Sequence, residues 1–215
     1  MSATELLKYQ LPIENIVTRY ASIDIETDGI DPSESQTVAI GIGLYDELNE
    51  EQSIDVLTYG GALGCERTLI RRAFERINEF EPSALVTFNG MDFDLDYLQG
   101  RITRLPFDGE PELSCTNHHI DLFRPRKRRA SEVGEKWPSL EETLEAHGIV
   151  VEPTEWQGEE LTNTIFGESL APTYLQAVES GSQDRVQEMD RVIHKYTATD
   201  VAANISLYEA DAGRR

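Results

Sequence analysis

Tyr20-Ala-Ser-Ile-Asp24-Ile-Glu26-Thr27 is the strongest strand signal in the chain. Alternate side chains of a strand point to opposite faces, so the isoleucines can enter a core while Asp24 and Glu26 share the other face. Like charges about 5 Å apart repel by roughly 3 kcal/mol at an effective dielectric of about 20, so this pair needs compensation. Rigid, oxygen-rich sites suit Mg²⁺ or Mn²⁺. Taken alone, the stretch fits an exposed strand with two solvated acids equally well.

A second acidic motif follows an apolar run at residues 84–88. Asn89-Gly90 ends that run, and apolar residues then recur at helical spacing, which predicts a strand, a turn and a helix. Asp94 lies in the first turns of this helix, where the helix dipole favours a carboxylate. Asp94 is therefore either a metal ligand or part of an ordinary acidic first turn, and Asn89 is expected to fix the turn.

A third motif lies near the C-terminus. Apolar residues recur there in steps of three and four over 184–210, which predicts a helix with one buried stripe. Asp200 falls on that stripe, where an unpaired carboxylate is costly. Tyr196 lies one turn earlier and projects beside it. A tyrosine on such a stripe is usually a core residue, but an aspartate there usually has a partner.

The three motifs together resemble those of the DEDD superfamily of exonucleases, in its tyrosine-containing branch. They are Asp24-x-Glu26, Asn89 followed by Asp94, and Tyr196-x-x-x-Asp200. None of them is specific alone, but their order, spacing and strand or helix contexts are specific together. Over residues 20–208 the chain is most similar to the YprB-type exonucleases, whose fold is RNase H-like.

The resemblance implies a metal-dependent 3′-5′ exonuclease that hydrolyses phosphodiester bonds of DNA or RNA with two Mg²⁺ or Mn²⁺ ions. Asp24, Glu26 and Asp200 would hold the first ion. Asp24 would bridge to the second ion, whose shell Asp94 would complete through water. Tyr196 would orient the attacking water, because a phenol with a pKa near 10 is better suited to hydrogen bonding than to acting as a base. A single-stranded 3′ end is the expected substrate.

Two other functions fit the same motifs. A structure-specific RNase H-like endonuclease would use these carboxylates in a cleft that is open at both ends. A catalytically inactive nucleic-acid-binding module would keep the fold alone, although the presence of all four acids and the tyrosine argues against loss of activity.

One segment is strongly basic. Arg124-Pro-Arg126-Lys127-Arg128-Arg129 contains five of the nineteen basic residues and follows a predicted strand directly. We interpret it as a loop whose arginines and lysine contact a nucleic-acid backbone, since guanidinium groups make bidentate phosphate contacts. Asn89 is a further nucleic-acid-binding candidate. The alternative is a solvated loop without a ligand.

Composition indicates a high-salt environment. The formal net charge is −21, and the chain has four lysines against fifteen arginines. Such a profile is typical of a halophile's cytosolic protein, in which molar salt screens self-repulsion, so a haloarchaeal origin is expected. An ordinary acidic enzyme that is kept soluble by its surface charge is the alternative.

The sequence also predicts a soluble, cytoplasmic protein. It contains no apolar run near 18 residues, and its first residues lack the basic and apolar regions of a signal peptide. Two cysteines, Cys65 and Cys115, are too few for a disulfide framework, which fits a reducing compartment. No membrane partner is expected, and oligomeric state is left open.

Periodicity predicts a single α/β domain over residues 1–215, with its core at about 17–210. Three strands come first, and strands then alternate with helices, which indicates a mixed five-stranded sheet flanked by helices, as in an RNase H-like fold. Ser139 and Glu142 form a capping box before one helix, and Gly148 ends it. The predicted strands are 17–25, 38–45, 53–59, 84–88 and 118–123, and the predicted helices are 66–80, 92–104, 139–147, 172–180 and 184–210.

Overall fold

Five strands form one mixed sheet in the computed structural model, which describes residues 6–60 and 64–214. They are β1 (Arg19–Thr27), β2 (Thr37–Asp46), β3 (Glu51–Thr58), β4 (Ala84–Thr87) and β5 (His119–Asp121), in the spatial order β3-β2-β1-β4-β5. The first three strands pair antiparallel, whereas β4 pairs parallel with β1 and β5 parallel with β4. The predicted mixed five-stranded sheet is confirmed.

Helices pack on both faces of this sheet. They are α1 (Glu66–Phe80), α2 (Asp94–Ile102), α3 (Phe123–Val133), α4 (Leu140–Ala146), α5 (Asn163–Ile165), α6 (Ala171–Glu179) and α7 (Gln183–Asp211). A π-helical turn at Phe166–Leu170 joins α5 to α6, and β6 (Glu155–Trp156) and β7 (Glu159–Glu160) form a small hairpin. Among residues 6–60 and 64–214, none of the helices is long and apolar enough to cross a membrane.

The two faces of β1 bury different kinds of side chain. Ile23 and Ile25 pack in the hydrophobic layer that α1 and α2 share with the sheet. On the other face, α7 covers the sheet, and its Thr197 hydroxyl donates a hydrogen bond to Glu26 at 3.5 Å. Alternation along the strand therefore places Asp24 and Glu26 on the α7 side, as the sequence predicts.

Two glycines of β2 let α7 approach the sheet closely. A Cβ added to Gly41 would lie 2.5 Å from Cγ2 of Val201, and one added to Gly43 would lie 2.7 Å from Cδ1 of Ile205. Gly41 is the β2 partner of Asp24 in the antiparallel register. The missing side chain thus brings α7, which carries Asp200, next to the acidic strand.

The start of α4 is fixed by the predicted capping box. The backbone N–H of Glu142 donates to Oγ of Ser139 at 3.2 Å, and the N–H of Ser139 donates to Oε2 of Glu142 at 2.8 Å. Gly148 follows the helix with a φ of 73°, a left-handed conformation that glycine adopts without strain. The capped first turn contains Glu141.

The basic segment is helical, and the predicted loop at 124–129 is wrong. Helix α3 begins at Phe123, directly after β5, so Pro125 lies in its first turn, where a missing backbone N–H is tolerated. The carboxylate of Asp121 accepts the free N–H groups of Phe123 at 2.9 Å and Arg124 at 3.4 Å. An aspartate at the end of the strand thus stabilises a helix where composition suggested a mobile segment.

Candidate active site

Three carboxylates meet at the C-terminal half of β1. Asp24 and Glu26 project from β1, Asp200 reaches them from α7, and one oxygen of each lies within 4.8 Å of the others. Across the part of the chain that the structure describes, this is the only group of three or more side chains placed to share a metal ion. All donors are carboxylate oxygens, which Mg²⁺ and Mn²⁺ prefer. The residues therefore fit a hard divalent cation.

Asp94 lies beside this cluster and is tied to the same strand. The parallel pairing of β4 with β1 ends at Ser22 and Val86, so the amide of Ile25 lies beyond it. Oδ1 of Asp94 accepts that amide N–H at 3.1 Å. Asp94, the first residue of α2, thus accepts a hydrogen bond that a residue of a neighbouring strand would otherwise accept. This contact fixes a fourth carboxylate next to Asp24.

Within residues 6–60 and 64–214, no cationic side chain pairs with these acids. None of the ion pairs found among the described residues includes Asp24, Glu26, Asp94 or Asp200. Burial is the main cause that raises the pKa of each of them, to about 7 for Asp94 and about 7 for Asp200. The charges of neighbouring acids raise the pKa of Asp24 and Glu26 further. An ion bound here would supply the missing positive charge.

A cavity of about 490 Å³ opens over the acids. Such a volume lies within the range of roughly 300–1,000 Å³ of sites that enclose a small ligand. Its floor carries the carboxylates, and its walls are largely apolar. The apolar wall residues include Ile30, Phe88, Phe93, Phe123, Leu140 and Phe166. An ionic group and an aromatic or aliphatic group of one ligand could therefore be bound together.

Tyr196 lies close to the acids but does not line the cavity. Its hydroxyl donates a hydrogen bond to Oδ1 of Asn163, and its ring stacks on Phe166 with the centroids 5.6 Å apart. Both of these neighbours line the cavity. Burial, followed by the charges of Glu26 and Asp200, raises the pKa of Tyr196. Its phenol is therefore neutral and serves as a hydrogen-bond donor.

The turn after β4 has the conformation expected around Asn89. Asn89 adopts a left-handed φ of 70°, and it lines the cavity. The two carboxylate oxygens of Asp121 accept the backbone N–H groups of Asn89 and Met91, each at 3.0 Å. Asp121 therefore holds both this turn and the start of α3, the two segments that flank one side of the cavity.

Arg126 does not contact nucleic acid as predicted, because its guanidinium is fully buried. It forms an ion pair with Asp211 at 2.7 Å and donates to the carbonyl oxygens of Leu122 and Leu7. Each guanidinium nitrogen has a partner inside the protein. Arg126 thus joins α3 to the end of α7 and is unavailable to a phosphate.

The other basic residues of α3 face solvent to different degrees. Arg124 and Lys127 both pair with Asp92, at 2.7 Å and 3.0 Å. Arg128 is exposed and lies 4.0 Å from Glu132. Arg129 donates to the carbonyl oxygen of Lys8 at 3.0 Å. Within this group, only Arg126 is withdrawn from the surface.

Glu141 and Asn163 are polar residues of the cavity that the three motifs do not contain. Glu141 contributes a further carboxylate, and its charge helps to raise the pKa of Asp200. Asn163 lines the cavity and accepts the hydrogen bond from Tyr196. Glu141 could have been found as a member of the capped first turn of α4, whereas the segment around Asn163 has no hydrophobic period that would place it.

Comparisons with known proteins agree with this fold. The RNase_H_2 family model, of the RNase_H superfamily, matches residues 21–210. A sequence comparison with curated proteins found no significant match. The solved structures include a family B DNA polymerase from the hyperthermophilic archaeon Pyrobaculum calidifontis, with 18% identity and a TM-score of 0.61. The alignment covers 91% of this chain and 24% of the polymerase chain, so this likeness concerns the fold. The predicted RNase H-like fold is confirmed, and the chain belongs to the RNase H superfamily of nucleases.

Proposed function

We propose that the protein is a metal-dependent 3′-5′ exonuclease that hydrolyses phosphodiester bonds of single-stranded nucleic acid. The observation that carries this proposal is the cluster of Asp24, Glu26 and Asp200, with Asp94 beside it, at the floor of a cavity with aromatic walls. A partly buried acidic cluster that pairs with none of the described cations fits a metal-dependent reaction on an anionic substrate. Membership of the RNase H superfamily supports the nuclease class.

The four acids have distinct roles in this proposal. Asp24, Glu26 and Asp200 would hold one Mg²⁺ or Mn²⁺ ion, and Asp24 and Asp94 would share a second. When bound, the ions would activate a water nucleophile and stabilise the leaving 3′-oxygen. The hydrogen bond from Ile25 keeps Asp94 in place before any ion arrives. The protein thus supplies a ligand set that needs little rearrangement.

Tyr196 would act as a positioning residue through Asn163. Because Tyr196 donates to Oδ1 of Asn163, the amide nitrogen of Asn163 is left to donate. An anionic phosphate oxygen in the cavity is a suitable acceptor for it. Loss of the Tyr196 hydroxyl would release the Asn163 side chain without removing a ligand of the ions.

The walls of the cavity favour unpaired nucleotides. Phe93 and Phe123 both line it, and an aromatic face binds any base by stacking once the base is free of its pairing partner. A base within a duplex would first have to be unpaired and unstacked. We therefore assign a single-stranded end as the substrate.

A nuclease assay tests this function. Single-stranded, duplex and 3′-blocked DNA and RNA, labelled at the 5′ end, are incubated with Mg²⁺ or Mn²⁺. We expect products that shorten from the 3′ end of the single strand, stop at the block and disappear with EDTA. Cuts within the blocked strand would favour an endonuclease, and binding without cleavage would favour the inactive module. Asp94→Asn, which removes a proposed ligand, should lower hydrolysis in this assay, and Asp96→Asn, at an exposed position of α2, is its matched control.

We also infer that the enzyme works at high salt. The net charge of −21 makes the folded chain repel itself, and salt near 1 M shortens the Debye length to about 3 Å. The assay is therefore run in molar and in dilute KCl. We expect stability and activity to fall in dilute buffer, although phosphate contacts alone would strengthen there. Maximal stability in dilute buffer would contradict this inference.

A further inference from the structure

An exposed tryptophan stands just outside the acidic cavity. Trp137 keeps 51% of its surface exposed, and the next residue, Pro138, lines the cavity. The indole is held in place, because its Nε1–H donates to Oγ of Ser131 at 2.9 Å. The exposed part of this fixed ring remains in contact with water. A partner that covers it would therefore bind favourably through the hydrophobic effect.

Trp137 continues the aromatic wall of the cavity. The ring of Phe123, which lines the cavity, meets the indole edge-on with the centroids 6.3 Å apart. The ring of Phe88, also in the cavity wall, lies 5.1 Å from that of Phe123 between centroids. Successive ring contacts thus connect Phe88 in the cavity wall, through Phe123, to the exposed Trp137.

A positive charge accompanies this aromatic surface. Nζ of Lys127 lies 4.5 Å from the centroid of Trp137 and 5.5 Å from that of Phe123. Arg124 is its neighbour on α3, and both pair with Asp92. In a chain with a net charge of −21, a local group of cations beside an exposed ring selects for an anionic, aromatic partner.

We propose that Trp137 and Lys127 form a stacking subsite for a base of the single strand whose end occupies the cavity. The indole face would stack on the base, and Lys127 would contact an adjacent phosphate. The subsite rests on the proposed function, because the strand that it binds is the proposed substrate. Stacking accepts every base, so the subsite adds affinity for single strands and little sequence preference.

Tryptophan fluorescence reports this contact directly. The chain has two tryptophans, so Trp156→Phe leaves Trp137 as the only one. The metal-free Trp156→Phe protein is titrated with oligothymidylate and, in parallel, with an abasic oligonucleotide of equal length. We expect saturable quenching by the first and little by the second. Equal quenching by both strands, or quenching by neither, would overturn the proposal.

Binding by variants provides the second test. Since base stacking on one aromatic side chain is worth about 5-fold to 150-fold in affinity, Trp137→Ala should weaken metal-free binding of oligothymidylate about tenfold. Trp137→Phe should retain most of the affinity. Leu48→Ala, at an exposed residue of the turn after β2, is the control and should bind as the wild type does.

The outcomes separate this proposal from the proposed function. If the wild type degrades single strands with Mn²⁺ but Trp137→Ala binds them as tightly as the wild type, the subsite is wrong and the nuclease stands. If the Trp137-dependent binding is found but no strand is cleaved under any metal condition, the subsite stands and the exonuclease is wrong.

Discussion

Gly41 in β2 and Val201 in α7 are in such close contact that a Cβ on Gly41 would lie 2.5 Å from Cγ2 of Val201. This contact sets the distance between the acidic strand and the helix that carries Asp200. Gly41→Ala should therefore displace α7, destabilise the protein by about 1–3 kcal/mol through overpacking, and lower hydrolysis more than substrate binding. Urea denaturation and single-turnover hydrolysis measure the two effects.

Val201→Ala provides the matched control for this prediction. It removes the nearest methyl group that the new Cβ would meet and leaves Cγ2 of Thr197 at 2.8 Å, so Gly41→Ala combined with Val201→Ala should recover part of the hydrolysis lost by Gly41→Ala alone. Val201 is buried, and its truncation costs stability by itself. The same rate for the single and double variants would show that α7 is not positioned by this contact.

The stability of the metal-free protein should fall as pH rises from about 4 to about 7. Burial raises the pKa of Asp94 to about 7 and of Asp200 to about 7, whereas an unfolded aspartate titrates near 3.9. The folded state thus binds more protons in this window, and raising pH favours unfolding. The lowered pKa of His119, about 4, and the lowered pKa of His147 act in the opposite direction within this window, but the raised pKa values of Asp24, Glu26, Asp94 and Asp200 outnumber them. Urea denaturation in EDTA at about pH 5 and pH 7.5 measures the slope.

Variants decide whether the acidic cluster causes this slope. Asp94→Asn and Asp200→Asn should each flatten it, because an asparagine binds no proton in either state. Asp96→Asn, at an exposed position, should leave it unchanged. Wild-type stability that rises over the window would contradict the assigned direction of the pKa shifts.

Tyr196→Phe should lower the hydrolysis rate by tenfold to several hundredfold, the approximate range for orientation and proton-transfer effects. The Michaelis constant and Mn²⁺ affinity should change little, because the lost hydroxyl contacts Asn163 and no proposed ligand. Asn163→Ala should have a similar effect, and the double variant should be no worse than the more damaged single variant. Additive losses would show that Tyr196 acts independently of Asn163.

Asp92→Asn should raise the affinity for single strands. Its carboxylate occupies Arg124 and Lys127 at 2.7 Å and 3.0 Å, so it competes with a phosphate for both cations. Neutralising Asp92 frees Arg124 and Lys127 to contact phosphates. The dependence of binding on salt should steepen as these phosphate contacts are gained. Binding in EDTA at several KCl concentrations measures both. An unchanged affinity and salt slope would place Arg124 and Lys127 outside the nucleic-acid interface.

Short-range patterns predicted the acidic strand and the helix that meets it. The alternation around Asp24 and the helical stripe around Asp200 each predict the face on which the side chain lies. Both side chains lie on the predicted face. The contact between Asp94 and the amide of Ile25 could not be predicted in this way. It depends on where β4 stops pairing with β1, a property of the assembled sheet.

Long-range partners explain the remaining errors. Arg126 looked like its basic neighbours, but its partner Asp211 lies 85 residues away, and only the packing of α3 against α7 buries the pair. Asn163 belongs to a segment without a hydrophobic period, so its position beside Tyr196 had no local signal. Trp137 could not be singled out from the sequence either, because its exposure and its aromatic neighbours are known only once the surrounding surface is known.

The carboxylates around Asp24 are proposed to hold the divalent ions that hydrolysis requires. This role is tested by calorimetric titration of Mn²⁺ into wild-type, Asp24→Asn and Asp96→Asn proteins, with hydrolysis followed on the same samples. We expect that the wild type and Asp96→Asn bind Mn²⁺ and degrade the strand, while Asp24→Asn is folded, binds Mn²⁺ much more weakly and has almost no activity. Near-wild-type Mn²⁺ binding and turnover by Asp24→Asn would contradict it.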